Sequence, residues 1–149
     1  MRVWFKKLNP DMGGAIPEPA YATAGAAGVD LAASLGEPVV VQPGQRAMVP
    51  TGLAVDIPGS DVVGLVFPRS GLAAKHGISL ANAVGVIDSD YRGEIICPVQ
   101  NNGGEVYEIR PGDRIAQLVF VPVLQVDIQF TDRLADSDRG EGGFGSTGR

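Results

Sequence analysis

Apolar residues along this chain fall into short alternating or continuous runs separated by Pro and Gly. The runs are Arg2 to Leu8, Pro38 to Val41, Arg46 to Val49, Gly52 to Ile57, Val62 to Phe67, Gly93 to Val99, Val106 to Ile109 and Ile115 to Val123. They have strand length and are rich in Val and Ile, which suits a pleated, half-buried surface. Many short strands at close spacing predict an all-β sandwich or barrel rather than alternating βα units. A single brief helix is predicted over Ser70 to His76, with Gly77 as its C-terminal stop. Pro43-Gly44, Pro58-Gly59, Gly103-Gly104 and Pro111-Gly112 mark turns.

Composition narrows this picture. The 149 residues suit one domain, and 21 Gly with 11 Pro leave little room for long helices. Seventeen acidic against 12 basic residues give a net charge of -5, so there is no global footprint for a nucleic-acid or membrane partner. Nine of the 12 cations are Arg, however, the side chain whose planar fork fits phosphate, so a small anionic ligand remains open. One cysteine, Cys97, and one histidine, His76, exclude an intrachain disulfide and a Cys/His zinc site within one chain. Cys97 lies in an apolar run and is expected to pack rather than react. The N-terminus has no apolar signal core, and no apolar run reaches membrane-span length; the expectation is a soluble, cytoplasmic protein.

From Ala135 onward the composition changes: five glycines and one large apolar side chain, Phe144, cannot bury enough surface to order the segment alone. The expected organisation is a β domain over 1–134 and a flexible Gly-rich arm over 135–149. Gly140 to Gly145 fits G-x-G-x-x-G, but no helix can follow, so the dinucleotide reading fails. Asp88 to Gly93 begins like a calcium loop, yet Arg92 and Val99 occupy ligand positions. No P-loop and no G-x-S-x-G elbow occurs, and His76 at a helix end suits the helix dipole.

Five segments place polar groups where core strands want apolar ones. Asp30 stands between apolar neighbours in Ala27 to Leu31. Arg69 and Ser70 fall at the predicted helix start in Pro68 to Leu72, where an anion is favoured and where Ser70 is also a candidate cap. Asn82 to Glu94 reads as a β-hairpin with an acidic tip. Gln117 interrupts the apolar run after Gly112 and needs buried partners or a ligand. The arm offers many backbone donors to phosphate oxygens.

In this order, these segments resemble the five motifs of the trimeric dUTPases. The resemblance runs from about residue 25 to the end of the chain. It rests on Pro68-Arg69-Ser70-Gly71-Leu72-Ala73, on Gly85-Val86-Ile87-Asp88 with Tyr91-Arg92-Gly93, and on Arg139-Gly140 followed by Gly142-Gly143-Phe144-Gly145-Ser146. It implies a distorted, jelly-roll-like β-barrel with one short helix, assembled as a homotrimer with active sites at subunit interfaces. It implies hydrolysis of dUTP to dUMP and pyrophosphate with Mg²⁺, keeping uracil out of DNA and supplying dUMP for thymidylate synthesis. By position, Asp88 would be the general base for the attacking water and Gln117 would help to hold that water. Asp30 would anchor hydrated Mg²⁺, and Arg69, Ser70 and Gly71 would grip the phosphates. Asn82 and the backbone at Gly85 and Ile87 would read uracil, while Tyr91 would exclude a 2′-hydroxyl. The arm would bring Arg139 to the γ-phosphate, Phe144 to stack on uracil, Ser146 and Thr147 to phosphate oxygens, and Gly145 to the bound substrate. Pro10 to Pro19 carries no expected role.

Two rivals share the fold. A dCTP deaminase, or a bifunctional deaminase and diphosphatase, needs a glutamate at the pyrimidine ring, which makes Glu94 the residue to follow; Gly71 and the Ile87-Asp88 pair favour the hydrolase. A silent nucleotide-binding module is disfavoured by Asp30, Asp88 and the full arm.

Overall fold

The computed structural model describes residues 1–143, in which eleven strands and one helix alternate with tight turns. In chain order they are β1 (Trp4–Lys7), β2 (Val29–Ala32), β3 (Val39–Val41), β4 (Arg46–Pro50), β5 (Leu53–Asp56), β6 (Val62–Pro68), α1 (Ser70–His76), β7 (Ile78–Leu80), β8 (Gly85–Ile87), β9 (Ile96–Asn101), β10 (Tyr107–Ile109) and β11 (Arg114–Pro122). The mostly-β expectation with one short helix therefore stands. The ladders form four small antiparallel sheets, ordered β2-β11-β6-β8, β4-β9-β7, β1-β5 and β10-β3, with no closed barrel among the described residues. All four contribute to one apolar core whose fully buried members include Leu31, Val49, Leu53, Ile95, Ile109 and Leu118.

Three local details differ from the sequence expectation. The acidic segment is not a hairpin: β8 pairs with β6 while β9 pairs with β4 and β7, so the chain changes sheets between Asp88 and Ile95. The register explains why, because Ile95 exchanges backbone hydrogen bonds with Thr51 and Leu53, and Thr51 Oγ1 donates to Ile95 O at 2.7 Å. Arg69, not Ser70, is the extended cap residue of α1, and no side chain caps the helix; Ser70 is its first residue. Finally, the largely exposed 10–19 segment places two side chains in the core. Met12 and Ile16 are buried there, closed into a loop by the Gly13 N–H donating to Ile16 O at 2.8 Å.

The stop at Gly77 is as expected. Its φ of +69° is left-handed, and its N–H returns to Ala73 O, closing the last turn. Cys97 is fully buried as a free thiol, and burial pushes its pKa up from 9.0 to about 12. Among the described residues no helix is long and apolar enough to cross a membrane.

Beyond Pro122 the sequence keeps alternating but the ladder stops. Leu124, Val126, Ile128 and Phe130 are 73 to 97% exposed, an apolar stripe without cover among the described residues.

Candidate active site

One end of the β2-β11-β6 sheet gathers three of the five polar segments. Asp30 on β2 lies directly opposite Gln117 on β11, which in turn faces Phe67 on β6. Directly opposed residues share a face. Arg69, two residues past Phe67, reaches the same face, where its Nε approaches Asp30 Oδ1 at 3.3 Å. Arg114 arrives by a different device. The β11–β2 register shifts between Arg114 and Ala116, so one extra residue is accommodated and Arg114, opposite Ala32, regains the parity of Gln117. Its Nη1 donates to Asp30 Oδ2 at 2.9 Å. Sequence reasoning gave Arg114 no role; the position is identifiable only once the bulge is known.

The result is a carboxylate held between two guanidinium groups, with a net positive charge on the cluster. The Asp30 side chain is only 22% exposed. Arg69 Nη1 also donates to Arg114 O at 3.2 Å, which leaves Nη2 as its donor with no partner among the described residues. Gln117 Nε2 donates to Pro68 O at 3.1 Å, fixing the amide and leaving its Oε1 as an acceptor. Gly28 leaves that oxygen room: a Cβ there would stand 3.3 Å from Gln117 Oε1 and 3.1 Å from Val119 Cγ2. Gly71 has nothing within 4 Å of its missing Cβ, so its backbone is open to approach. Nearby, burial and then the Asp113 carboxylate raise the Tyr107 phenol, against the lowering influence of Arg69.

The second part of the site is a cavity of about 260 Å³ beneath β8. Val66, Leu80 and Pro98 supply apolar lining, and Asn82, Gly85, Val86 and Ile87 line it from the β8 side. Asp88, Tyr91 and Glu94 add polar groups to it. Ala83 beside Asn82 has φ +61°, an uncommon backbone for a residue with a Cβ, in a turn closed by the Ala83 N–H on Leu80 O. Tyr91 Oη donates to Glu94 O at 2.9 Å, which pins the ring. The Glu94 carboxylate is engaged as well, since Oε1 accepts the Gly52 N–H at 2.7 Å.

These two parts do not meet within one chain. Ile87 is opposite Gly64 on β6, whereas Gln117 is opposite Phe67, and Asp88 continues away from it. Three residues along β6 and two strand spacings across separate Ile87 from Gln117 by roughly 10 Å in each direction. Side chains of Asp and Gln cannot bridge that gap. Arg139 lies on an exposed turn, its Nε donating to Gly142 O at 2.8 Å. Phe144, Gly145, Ser146 and Thr147 lie outside the described residues. Among the described residues no group of three or more His, Cys, Asp or Glu side chains could hold a metal.

Comparison with known proteins gives the arrangement its context. A protein-family model described as dUTPase matches residues 15–148. A deoxyuridine 5'-triphosphate nucleotidohydrolase of Azoarcus sp. (strain BH72) is 56% identical over 148 residues, covering 99% of this chain and 98% of the relative. That of Hahella chejuensis (strain KCTC 2396) is 52% identical over 143 residues, covering 96% of this chain and 94% of the relative. Among solved structures, a Staphylococcus bacteriophage 80alpha dUTPase with dUPNHPP superposes with a TM-score of 0.87 at 28% identity, covering 99% of both chains. A mutant dUTPase from phage phi11 of S. aureus, described for its coordination of a structural Mg(II) ion, gives 0.77 at 26% identity over 89% of this chain and 98% of its own. The chain belongs to the dUTPase family and is an enzyme that hydrolyses dUTP.

Proposed function

We propose that the protein cleaves dUTP between the α- and β-phosphates, giving dUMP and pyrophosphate, at sites shared by the subunits of a homotrimer of jelly-roll-like domains. The observation that carries this reading is the convergence of Asp30, Arg69 and Gln117, from three separate sequence segments, on one face of one sheet.

In this reading the cavity under β8 takes uracil and deoxyribose. Asn82 and the backbone at Gly85 and Ile87 offer hydrogen bonds to the base. The Tyr91 ring, pinned through its hydroxyl, stands where a 2′-hydroxyl would need space; a fixed steric wall discriminates better than a loose apolar pocket. The phosphates run to the Asp30 cluster of a neighbouring subunit, where Arg69 through Nη2, Ser70 and the open backbone at Gly71 bind them. Water attacks the α-phosphorus; its proton passes to the Asp88 carboxylate, and the bond to the bridging oxygen breaks as pyrophosphate leaves. Gln117 Oε1 accepts a hydrogen bond from that water and orients it. Most of the acceleration comes from positioning and charge neutralisation. Arg139, Phe144, Gly145, Ser146 and Thr147 close the site as an arm from 135–149.

The donor set fits Mg²⁺ held through water. Both Asp30 oxygens already carry an arginine partner, yet a carboxylate retains further lone pairs for the shell of a hydrated ion. Mg²⁺ typically uses one or two carboxylates with substrate phosphates and keeps several waters. When bound, it neutralises phosphate charge. The physiological role is to keep uracil out of DNA and to supply dUMP for thymidylate synthesis in the cytoplasm.

Glu94 lines the cavity, with Oε1 accepting the Gly52 N–H, and Gly71 with the Ile87-Asp88 pair favours the hydrolase over the deaminase alternative. The test is pyrophosphate release from dUTP, UTP, dTTP and dCTP, with Mg²⁺ and with chelator. Rapid Mg²⁺-dependent release from dUTP alone is expected; ammonia from dCTP, or silence on all four, overturns the reading.

A further inference from the structure

We propose that Asp56 is a positioning residue for hydrolysis, acting through Arg92 on the turn that carries Asp88. The proposal rests on the reading of Asp88 given above.

Among the described residues no hydrogen bond reaches the Asp88 carboxylate, so its placement depends on its backbone. On one side Asp88 follows β8, whose ladder to β6 ends at Ile87. On the other side the chain turns, with the Tyr91 N–H donating to Asp88 O at 3.1 Å. Arg92 clamps that turn: Nη1 donates to Ser89 O at 2.7 Å and to Tyr91 O at 3.1 Å. The same guanidinium places Nη2 2.7 Å from Asp56 Oδ1. A guanidinium is rigid and planar, so fixing one nitrogen constrains the others.

Asp56 is a firm base for this clamp. It closes β5, pairs with Trp4 of β1, and is flanked by the buried Val55 and Ile57. Its own carboxylate is about half exposed, as is Arg92, and exposed ion pairs contribute little to stability. The value of the pair is geometric. Misplacing a reacting group by about 1 Å can cost on the order of 10²-fold in rate. The cavity wall at Gly85 to Ile87 is held separately by β6, so loosening the clamp displaces Asp88 more than it disturbs base binding.

The test measures kcat and KM on dUTP for the full chain, Asp56→Asn, Arg92→Lys and the double variant, with hydrogen exchange at the Tyr91 amide. We expect kcat about tenfold lower in each single variant, KM within about twofold, unchanged melting, and faster Tyr91 exchange. The double variant should be no slower than the worse single one, because both break one clamp. Unchanged kcat, a KM rise with kcat retained, multiplicative losses, or unchanged exchange each overturn the proposal. A wild-type chain silent on dUTP sinks the hydrolytic reading and the positioning role together; an active wild type with unaltered variants sinks the positioning role alone.

Discussion

Asp88 has the most demanding task of any side chain in the proposed mechanism, yet among the described residues no hydrogen bond reaches its carboxylate. Replacing its carboxylate by the isosteric amide in Asp88→Asn removes the proton acceptor without changing the backbone. Turnover should fall by about 10²–10⁴, the usual contribution of a general base, while a non-hydrolysable dUTP analogue binds as before. Turnover within tenfold of wild type would move the base elsewhere. Asp30, Arg69 and Gln117 could be singled out from sequence because each is polar in an apolar or turn-bounded run. Arg114 could not, since only the register shift on β11 turns it toward Asp30. Cys97 makes a prediction of a different kind. Its folded pKa, about 12, lies above the unfolded 9.0, so unfolding releases a proton between those values. The stabilisation is complete below about pH 9 and is lost as pH rises through about 12, with a slope of at most about 1.4 kcal/mol per pH unit. Thiol alkylation at pH 8.5 should therefore be negligible in the native protein and rapid in denaturant.

Elements repeat this contrast between local signals and long-range ones. The end of α1 was legible because a left-handed residue after a helix is a local requirement that glycine meets. It is also a packing requirement, since a Cβ on Gly77 would fall 2.6 Å from Gly103 Cα. Gly77→Ala should thus lose at least about 2 kcal/mol, lowering the melting midpoint by roughly 4–8 °C, whereas Ala74→Gly on the exposed helix face should lose only about 1 kcal/mol. Equal losses would mean that the left-handed cap and the contact with Gly103 are not what sets the cost. The strands from Pro38 to Ile57 and from Val106 to Val123 were readable from alternation to within a residue or two. Their partners were not. Asn82 to Glu94 has every local sign of a hairpin, yet Ile95 belongs to the Thr51 and Leu53 backbone, so the two arms part into different sheets. The 10–19 segment escaped for the same reason: Met12 and Ile16 are spaced like a loop, and only the opening they fill in the core explains them.

At the scale of the molecule, two observations point the same way. The cavity with Asp88 and the cluster with Gln117 lie apart on one chain, and among the described residues nothing covers the stripe of Leu124, Val126, Ile128 and Phe130. A closed assembly resolves both, because a neighbour can cover the stripe and set its own cluster beside this chain's Asp88. In solution the mass should be three times 15.5 kDa. Charged residues on the stripe, as in Val126→Asp with Ile128→Lys, should yield smaller species with little turnover and an intact fold by circular dichroism. A stricter test uses two inactive proteins. Asp88→Asn keeps Gln117, and Gln117→Ala keeps Asp88. If each site draws these residues from different subunits, mixing the two after dissociation and reassembly creates some sites with both wild-type side chains, roughly a quarter on random assortment. Activity should then return in the mixture while each parent stays silent. A mixture as inactive as its parents would mean that Asp88 and Gln117 serve one site within one chain, which the register of β6 forbids without a rearrangement of the sheet.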